Sequence, residues 1–234
     1  MELPINQIIQ GDCLEVMKTF PGDSIDLILT DPPYNTGMKA TNRGARLHDF
    51  FDDDYTDEDY LKLVRGGAYE MFRILKNDKP IYLFINWKQL GLWLQELRGV
   101  GFNIKNTIVW DKVVHGLNYQ NYANTHEFII YGVKGNWFPT NKESQDKKRG
   151  FFKDVWSIQR KMTDNDGHET IKAEEVLATV LSHAPNEKIV CDPFMGSGST
   201  AFVCKRMGRD YVGCEMEQKY IDIANKRLRQ EVLL

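Results

Sequence analysis

The sequence predicts an α/β protein built on a doubly wound, mostly parallel sheet. Short apolar segments alternate with segments of helical period along most of the 234 residues. The apolar run 25–30 is continuous, as expected for a strand that helices cover on both faces. Two predicted strands, 25–30 and 188–191, run directly into Asp-Pro turns, and open sheets of this class bind ligands at the carboxyl ends of their strands. The length suits one domain, which we expect to span residues 1–234.

Local signals mark the ends of elements in the first half of the chain. The turn Phe20-Pro21-Gly22-Asp23 closes the first helix, and Pro32 and Pro33 end the second strand because proline has no N–H for a strand ladder. Gly99 and Gly101 end the third helix. The elements predicted here are a strand at 5–9, a helix at 14–19, a strand at 25–30, a helix at 57–75, a strand at 80–85, a helix at 87–98 and strands at 103–110 and 127–133.

The segment 134–165 lacks a clean period, and we interpret it as an inserted arm. Its aromatic residues would be unusual in a disordered linker. They are Trp137, Phe138, Phe151, Phe152 and Trp156. After this segment the alternation resumes, which brings the predicted total to seven strands. The elements predicted there are a helix at 172–184, a strand at 188–191, a helix at 199–207, a strand at 211–215 and a helix at 218–230.

Charge is distributed unevenly along the chain. The net charge is −3, which by itself argues against a nucleic-acid partner. Residues 134–161, however, contain eight basic and three acidic residues, which gives this segment +5 and leaves −8 for the rest. A basic, aromatic arm is a candidate for contact with DNA phosphates, and the alternative is a solvated flap.

Other features exclude whole classes of protein. The longest apolar runs, such as 81–85, are far shorter than a transmembrane helix, and residues 1–10 show no secretory signal. The four cysteines have no C-x-x-C spacing, so we expect neither a disulfide framework nor a metal site. We therefore expect a cytoplasmic protein with reduced thiols and no membrane partner.

A glycine-containing loop and a following acid predict a nucleoside site. The segment Asp192-Pro193-Phe194-Met195-Gly196-Ser197-Gly198 joins a strand to a helix. Its glycines allow a ligand to approach the backbone, and the helix offers unpaired N–H groups at its start. Glu215 ends the next strand, where an acid can accept hydrogen bonds from ribose hydroxyls. The alternatives are a tight turn and a solvated acid at a helix start.

The segment Asp31-Pro32-Pro33-Tyr34 follows the buried strand 25–30. A carboxylate accepts hydrogen bonds, a rigid turn presents carbonyl groups, and a tyrosine ring can stack on a planar base. These groups together could grip an aromatic amine. The alternative is a strand stop that carries a surface tyrosine.

Together these segments resemble the S-adenosylmethionine-dependent DNA amino-methyltransferases, which modify exocyclic amines of adenine or cytosine. The catalytic box of that family, Asp/Asn/Ser-Pro-Pro-Tyr, is matched by residues 31–34, and its cofactor box, Asp-Pro-Phe-x-Gly-Ser-Gly, by residues 192–198. The catalytic box comes first by about 160 residues, which resembles the permuted β class. The resemblance implies a seven-stranded, Rossmann-like methyltransferase sheet with permuted motif order and a short inserted recognition arm.

The resemblance also implies ligands and site residues. The cofactor would be S-adenosyl-L-methionine and the substrate DNA, in a bacterial or phage-encoded enzyme, with no metal. A homodimer and a cognate restriction endonuclease are further partners that the resemblance allows. The implied catalytic residues are Asp31, Pro32, Pro33 and Tyr34. The implied cofactor-binding residues are Asp12, Cys13, Asp31, His168, Thr170, Lys172, Asp192, Phe194, Gly196, Gly198, Ser199 and Glu215. The candidate DNA-binding residues of the arm are Lys142, Lys147, Lys148, Arg149, Lys153, Arg160 and Lys161.

One segment departs from the family pattern. The family has His-Pro-Thr-x-Lys-Pro where this chain has His168-Glu169-Thr170-Ile171-Lys172-Ala173, so both prolines are missing. The His, Thr and Lys remain, and the resemblance places them at the methionine end of the cofactor.

The reaction implied is direct in-line methyl transfer to the N6 amine of an adenine flipped out of the duplex. Asp31 at the first position of the catalytic box resembles the adenine-modifying members, whereas Ser there resembles the cytosine-modifying ones. Two alternatives remain open. One is an N4-cytosine methyltransferase, and the other is a catalytically inactive DNA-binding protein on the same scaffold.

Overall fold

The computed structural model describes residues 2–35, 55–113, 122–140, 152–159 and 174–229. Within these ranges the chain forms eight strands and six helices. The strands are β1 (Gln7–Gln10), β2 (Leu27–Thr30), β3 (Lys79–Ile85), β4 (Asn103–Asp111), β5 (His126–Lys134), β6 (Val155–Ser157), β7 (Ile189–Asp192) and β8 (Asp210–Glu215). The helices are α1 (Cys13–Thr19), α2 (Asp57–Ile74), α3 (Leu90–Val100), α4 (Glu174–His183), α5 (Ser199–Arg206) and α6 (Gln218–Arg229).

The strands join in one open sheet with the order β1-β8-β7-β2-β3-β5-β4-β6. Strand β5 runs antiparallel to its neighbours β3 and β4, and the other neighbouring strands pair in parallel. This topology confirms the doubly wound, mostly parallel sheet. The predicted number of seven strands was wrong, because the described residues include β6. Its three residues are too few to show a strand period in the sequence.

Helices cover both faces of the sheet, and β2 shows how the sequence permits this. Ile28 packs into the core on the side of α1, α2 and α3. Leu27 and Leu29 pack into the opposite core, on the side of α4, α5 and α6. Successive side chains of a strand point to opposite faces, so burial on both faces requires the continuous apolar run seen in the sequence.

Two parts of the predicted arm belong to the sheet instead. Lys134 is the last residue of β5, and its buried ammonium donates to the Asp23 carboxylate (2.8 Å) and to the carbonyl oxygens of Phe72 and Leu75. Farther along, β6 pairs with β4, and its Trp156 is buried. The predicted start of the arm at residue 134 was therefore wrong, because the charge of Lys134 is neutralised inside the protein.

Local hydrogen bonds explain where two helices begin. The Asp12 carboxylate accepts from the backbone N–H groups of Leu14 and Glu15, so α1 starts directly after it. Helix α3 starts at Leu90 rather than at the predicted residue 87, because the Asn86 side chain accepts from the N–H of Gln89 and holds a turn there. Within the described ranges, each helix is too short or too polar to span a lipid bilayer.

Candidate active site

The segments predicted to carry the chemistry meet at one edge of the sheet. Strands β1, β8, β7 and β2 are neighbours, so the loops that follow their carboxyl ends lie side by side. The N–H of Gly11 donates to the carbonyl of Glu215 (3.0 Å), and the N–H of Met195 donates to the carbonyl of Cys214 (3.0 Å). Residues from both ends of the chain thus form one continuous edge.

Glu215 braces the loop 192–198 from the tip of β8. Its side chain is buried, and its carboxylate accepts from the N–H groups of Gly196 (2.9 Å) and Glu217 (2.9 Å). Burial raises the pKa of Glu215, and these backbone donors oppose that rise. A carboxylate oxygen can accept more than one hydrogen bond, so ribose hydroxyls could still be bound here. The role of Glu215 in cofactor binding stays a prediction.

Asp192 ties three elements together beneath the loop. Its carboxylate accepts from the hydroxyls of Thr30 on β2 (2.6 Å) and Thr200 on α5 (2.6 Å), and from the N–H of Phe194 (3.1 Å). Burial raises the pKa of Asp192 to about 6, and the charge of Asp31 adds to the rise. These hydrogen bonds give Asp192 a structural role. Its contact with the cofactor stays a prediction.

The two glycines of the loop meet different constraints. Gly198 has φ +80°, and a Cβ there would lie 2.6 Å from the Cβ of Ala224, so this glycine is required by the packing of α6. Gly196 has φ +52°, and a Cβ there would find no atom within 4 Å. Gly196 therefore faces open space beside the buried Glu215 and the start of α5.

The other described cofactor candidates flank this edge. Asp12 is exposed and caps α1, whereas the Cys13 thiol is buried. Burial raises the pKa of Cys13 to about 12, so the thiol is neutral. The Ser199 hydroxyl accepts from Arg227 of α6 (3.1 Å), and Phe194 is partly buried against the core. These positions agree with the predicted edge, and each predicted contact stays a prediction.

The catalytic box follows β2 on the same edge. The Tyr34 hydroxyl donates to Oδ1 of Asp31 (2.5 Å) and lies 3.2 Å from Oε2 of Glu127. Burial raises the pKa of Tyr34 well above its ordinary value, and the charges of Asp31 and Glu127 add to the rise. The phenol therefore keeps its proton and acts as a hydrogen-bond donor.

Helices α2 and α3 hold the box from behind. The hydroxyl of Tyr60 donates to the carbonyl of Pro33 (2.8 Å), and the indole N–H of Trp93 donates to the Tyr60 oxygen (3.3 Å). Both aromatic side chains are buried. Tyr60 and Trp93 were not predicted as site residues, because they lie on the apolar faces of helices and have no spacing that links them to residues 31–34.

Glu127 and Lys112 were also missed. Nζ of Lys112 lies 3.4 Å from Oε1 of Glu127, and both side chains are largely buried. Only the pairing of β5 with β3 and β4 brings Glu127 to the catalytic box.

Several predicted residues lie outside the described ranges. Of the candidate DNA-binding residues, Lys153 is described, and it is exposed. The cofactor candidates outside these ranges are His168, Thr170 and Lys172. The DNA-binding candidates outside them are Lys142, Lys147, Lys148, Arg149, Arg160 and Lys161.

Comparison with known proteins adds an independent finding. Residues 25–226 match a family model for N6 and N4 enzymes that is described as DNA methylase. The chain is 35% identical to the type II methyltransferase M.HinfI of Haemophilus influenzae over an alignment of 254 positions, gaps included. The alignment covers 97% of this chain and 69% of that protein.

Solved structures share the fold. The crystal structure of the M1.HpyAVI–SAM complex has a TM-score of 0.72 at 24% identity and covers 95% of this chain and 98% of that one. The PvuII DNA methyltransferase, described as cytosine-N4-specific, has a TM-score of 0.74 at 16% identity and covers 97% of this chain and 88% of that one. At 24% and 16% sequence identity, these two structures show that the chain shares their fold.

Proposed function

The chain belongs to the N6/N4 family of DNA methylases, and on that premise we propose that it transfers a methyl group from S-adenosyl-L-methionine to the N6 amine of adenine in DNA. The observation that carries the proposal is the position of Asp31. Its carboxylate stands at the end of β2, beside the loop 192–198 that follows the neighbouring strand β7.

The carboxyl edge of the sheet suits this cofactor. S-adenosylmethionine supplies an electrophilic methyl group on a positively charged sulfonium. Glu215 would bind the ribose, and Gly196 would leave room for the nucleoside next to it. Asp12 at the tip of β1 would meet the adenine of the cofactor. The acidic character of this edge favours a cationic ligand.

The acceptor amine is a poor nucleophile because its lone pair is delocalised into the ring. Asp31 would accept one N–H of the amine, and the carbonyl of Pro32 would accept the other. This geometry turns the nitrogen lone pair toward the methyl group, so that positioning supplies most of the rate. The ring of Tyr34 would stack on the base, which must leave the duplex to reach the site.

The choice of adenine depends on Asp31. Both acceptor bases offer an exocyclic amine, and a cytosine-N4-specific enzyme shares this fold, so the sheet itself does not discriminate between them. Asp at the first position of the box resembles the adenine-modifying members of the family. DNA is the substrate, with the arm after β5 as the proposed contact. A second copy of the chain and a cognate restriction endonuclease are further proposed partners.

Mass spectrometry of nucleosides tests the proposal. DNA incubated with the purified protein and S-adenosylmethionine should accumulate N6-methyladenine, and Asp31→Ala should lower the yield of that product by orders of magnitude. N4-methylcytosine without N6-methyladenine would show that cytosine is the acceptor. No methylated base together with tight DNA binding would favour an inactive binding protein.

A further inference from the structure

An ion pair outside the predicted site reaches the catalytic box. Glu127 lies near the start of β5, and Lys112 directly follows the neighbouring strand β4. Oε2 of Glu127 is 3.2 Å from the Tyr34 oxygen, and Oε1 is 3.4 Å from Nζ of Lys112. The side chains of Lys112 and Glu127 are 10% and 15% exposed, so the pair is mostly shielded from water.

The Tyr34 hydroxyl stands between two carboxylates. A phenol has one hydrogen, so it donates well to one acceptor at a time. The shorter distance, 2.5 Å, is to Asp31. Glu127 faces the same oxygen and finds its countercharge in Lys112. The Tyr34 hydroxyl therefore has one close acceptor, Asp31, and a second acceptor within reach, Glu127.

The same arrangement places like charges close together. Two carboxylates within hydrogen-bonding distance of one oxygen repel each other, and this repulsion favours the protonated form of each. Lys112 is the countercharge of Glu127 and offsets part of this repulsion. From β7, Asp192 faces Asp31 as a second acid, and the Thr30 and Thr200 hydroxyls bind its carboxylate.

We propose that Glu127, paired with Lys112, is a positioning residue of the catalytic centre that holds the Tyr34 hydroxyl and makes the Asp31 carboxylate a stronger proton acceptor. The inference rests on the proposed role of Asp31. As the N–C bond forms and the C–S bond breaks, the amine nitrogen loses a proton to Asp31. A more basic carboxylate accepts that proton more readily.

The test removes the charge of Glu127 and keeps its shape. Asp31 is titrated by carbon NMR of carboxyl-labelled aspartate in protein free of cofactor and DNA, with its resonance assigned from the Asp31→Asn variant. In Glu127→Gln the pKa of Asp31 should fall by about half a pH unit or more. In methyl-transfer assays the acid limb of kcat/KM should move to lower pH, and the plateau kcat should fall roughly two- to threefold.

A matched variant separates this effect from a general loss of packing. Glu187 is also a buried carboxylate paired with a lysine, Lys79 (3.1 Å), but it precedes β7, at the opposite end of the strands. Glu187→Gln should leave the Asp31 titration unchanged. If Glu127→Gln does not fold, the double variant with Lys112→Met leaves no unpaired charge. The pKa of Asp31 should then fall by less than in the single variant, because the lost lysine charge offsets part of the lost carboxylate charge.

The outcomes are distinct. An unchanged Asp31 titration in folded Glu127→Gln overturns the inference, and so does an equal shift in Glu187→Gln. The titration needs no substrate, so it is independent of the proposed function. Failure of that function would appear separately, as absent methyl transfer to adenine by the unmodified protein.

Discussion

At the scale of single residues, the proposed chemistry depends most on Asp31. Its carboxylate is positioned by the Tyr34 hydroxyl and stands beside Asp192. Asp31→Ala should lower turnover roughly 100- to 1000-fold, the cost of removing one preorganised group that stabilises a transition state. Single-turnover assays with tritiated cofactor measure this loss. Thermal unfolding checks that the variant folds, and retained turnover would remove Asp31 from the catalytic centre.

Glu215 is the residue on which cofactor affinity should depend most. Its carboxylate joins the tip of β8 to Gly196 in the loop. Glu215→Ala should weaken S-adenosylmethionine binding by about 1–3 kcal/mol, the scale of lost hydrogen bonds to a charged group. Calorimetry measures the change, and thermal unfolding checks the fold. Glu217→Ala, which removes a neighbouring exposed acid, is the matched control, and an equal loss in both variants would contradict a specific role for Glu215.

At the scale of elements, the two glycines of the loop between β7 and α5 should have different roles, Gly198 in packing and Gly196 in cofactor binding. Gly198→Ala should lower the free energy of unfolding by roughly 1–3 kcal/mol, because the added methyl group meets Ala224 of α6. Gly196→Ala faces open space, so it should cost less stability and weaken cofactor binding instead. Urea unfolding and calorimetry on both variants make the comparison. Equal destabilisation without any loss of binding would contradict the separation.

Asp192 links β2, β7 and α5. Because its burial raises its pKa, the free energy of unfolding should depend on pH through this residue. Its pKa is about 6 in the fold, above the ordinary 3.8, so the folded state holds this proton more tightly than the unfolded chain. The stabilisation is therefore complete below the unfolded pKa and is lost as the pH rises through the folded one, by roughly 3 kcal/mol.

The Asp192→Asn variant lacks this titration. Relative to the unmodified protein, its free energy of unfolding should therefore rise by roughly 2–3 kcal/mol between pH 4 and pH 7. Urea unfolding at a series of pH values measures the difference. A difference that stays constant across this range would show that Asp192 does not titrate there.

At the scale of the whole molecule, the charge distribution predicts how the protein meets DNA. Residues 134–161 carry a net charge of +5 and the rest of the chain −8. The charge of Lys134 is paired with Asp23 inside the fold. Replacing Lys147, Lys148 and Arg149 with alanine should weaken DNA binding. It should also reduce the slope of log affinity against log salt by up to about three units.

Fluorescence titrations at several salt concentrations measure that slope. The control variant replaces three exposed basic residues of α1 and α2: Lys18, Lys62 and Arg65. It should keep the full salt dependence, and cofactor binding should survive in both variants. A full slope in the arm variant would show that its basic cluster is a solvated face.

The sequence alone determined the order of the elements and the chemistry of the two boxes. Alternating apolar runs, the prolines after β2 and the glycines after α3 act within a few residues, so their consequences can be predicted locally. For the same reason, Asp31, Glu215 and the loop 192–198 could be identified as candidates. Their common location followed from the general rule that ligands bind at the carboxyl ends of parallel strands.

Only the tertiary structure decided which distant residues meet. Strand order sets β2 beside β7, which brings Thr30 to Asp192, and the antiparallel β5 brings Glu127 to Tyr34. The contact of Lys134 with Asp23 places this residue in the fold rather than in the predicted arm. The pairing of β6 with β4 adds a three-residue strand at the edge of the sheet. These outcomes depend on register and packing between segments far apart in the chain, and such contacts leave no period or spacing in the sequence.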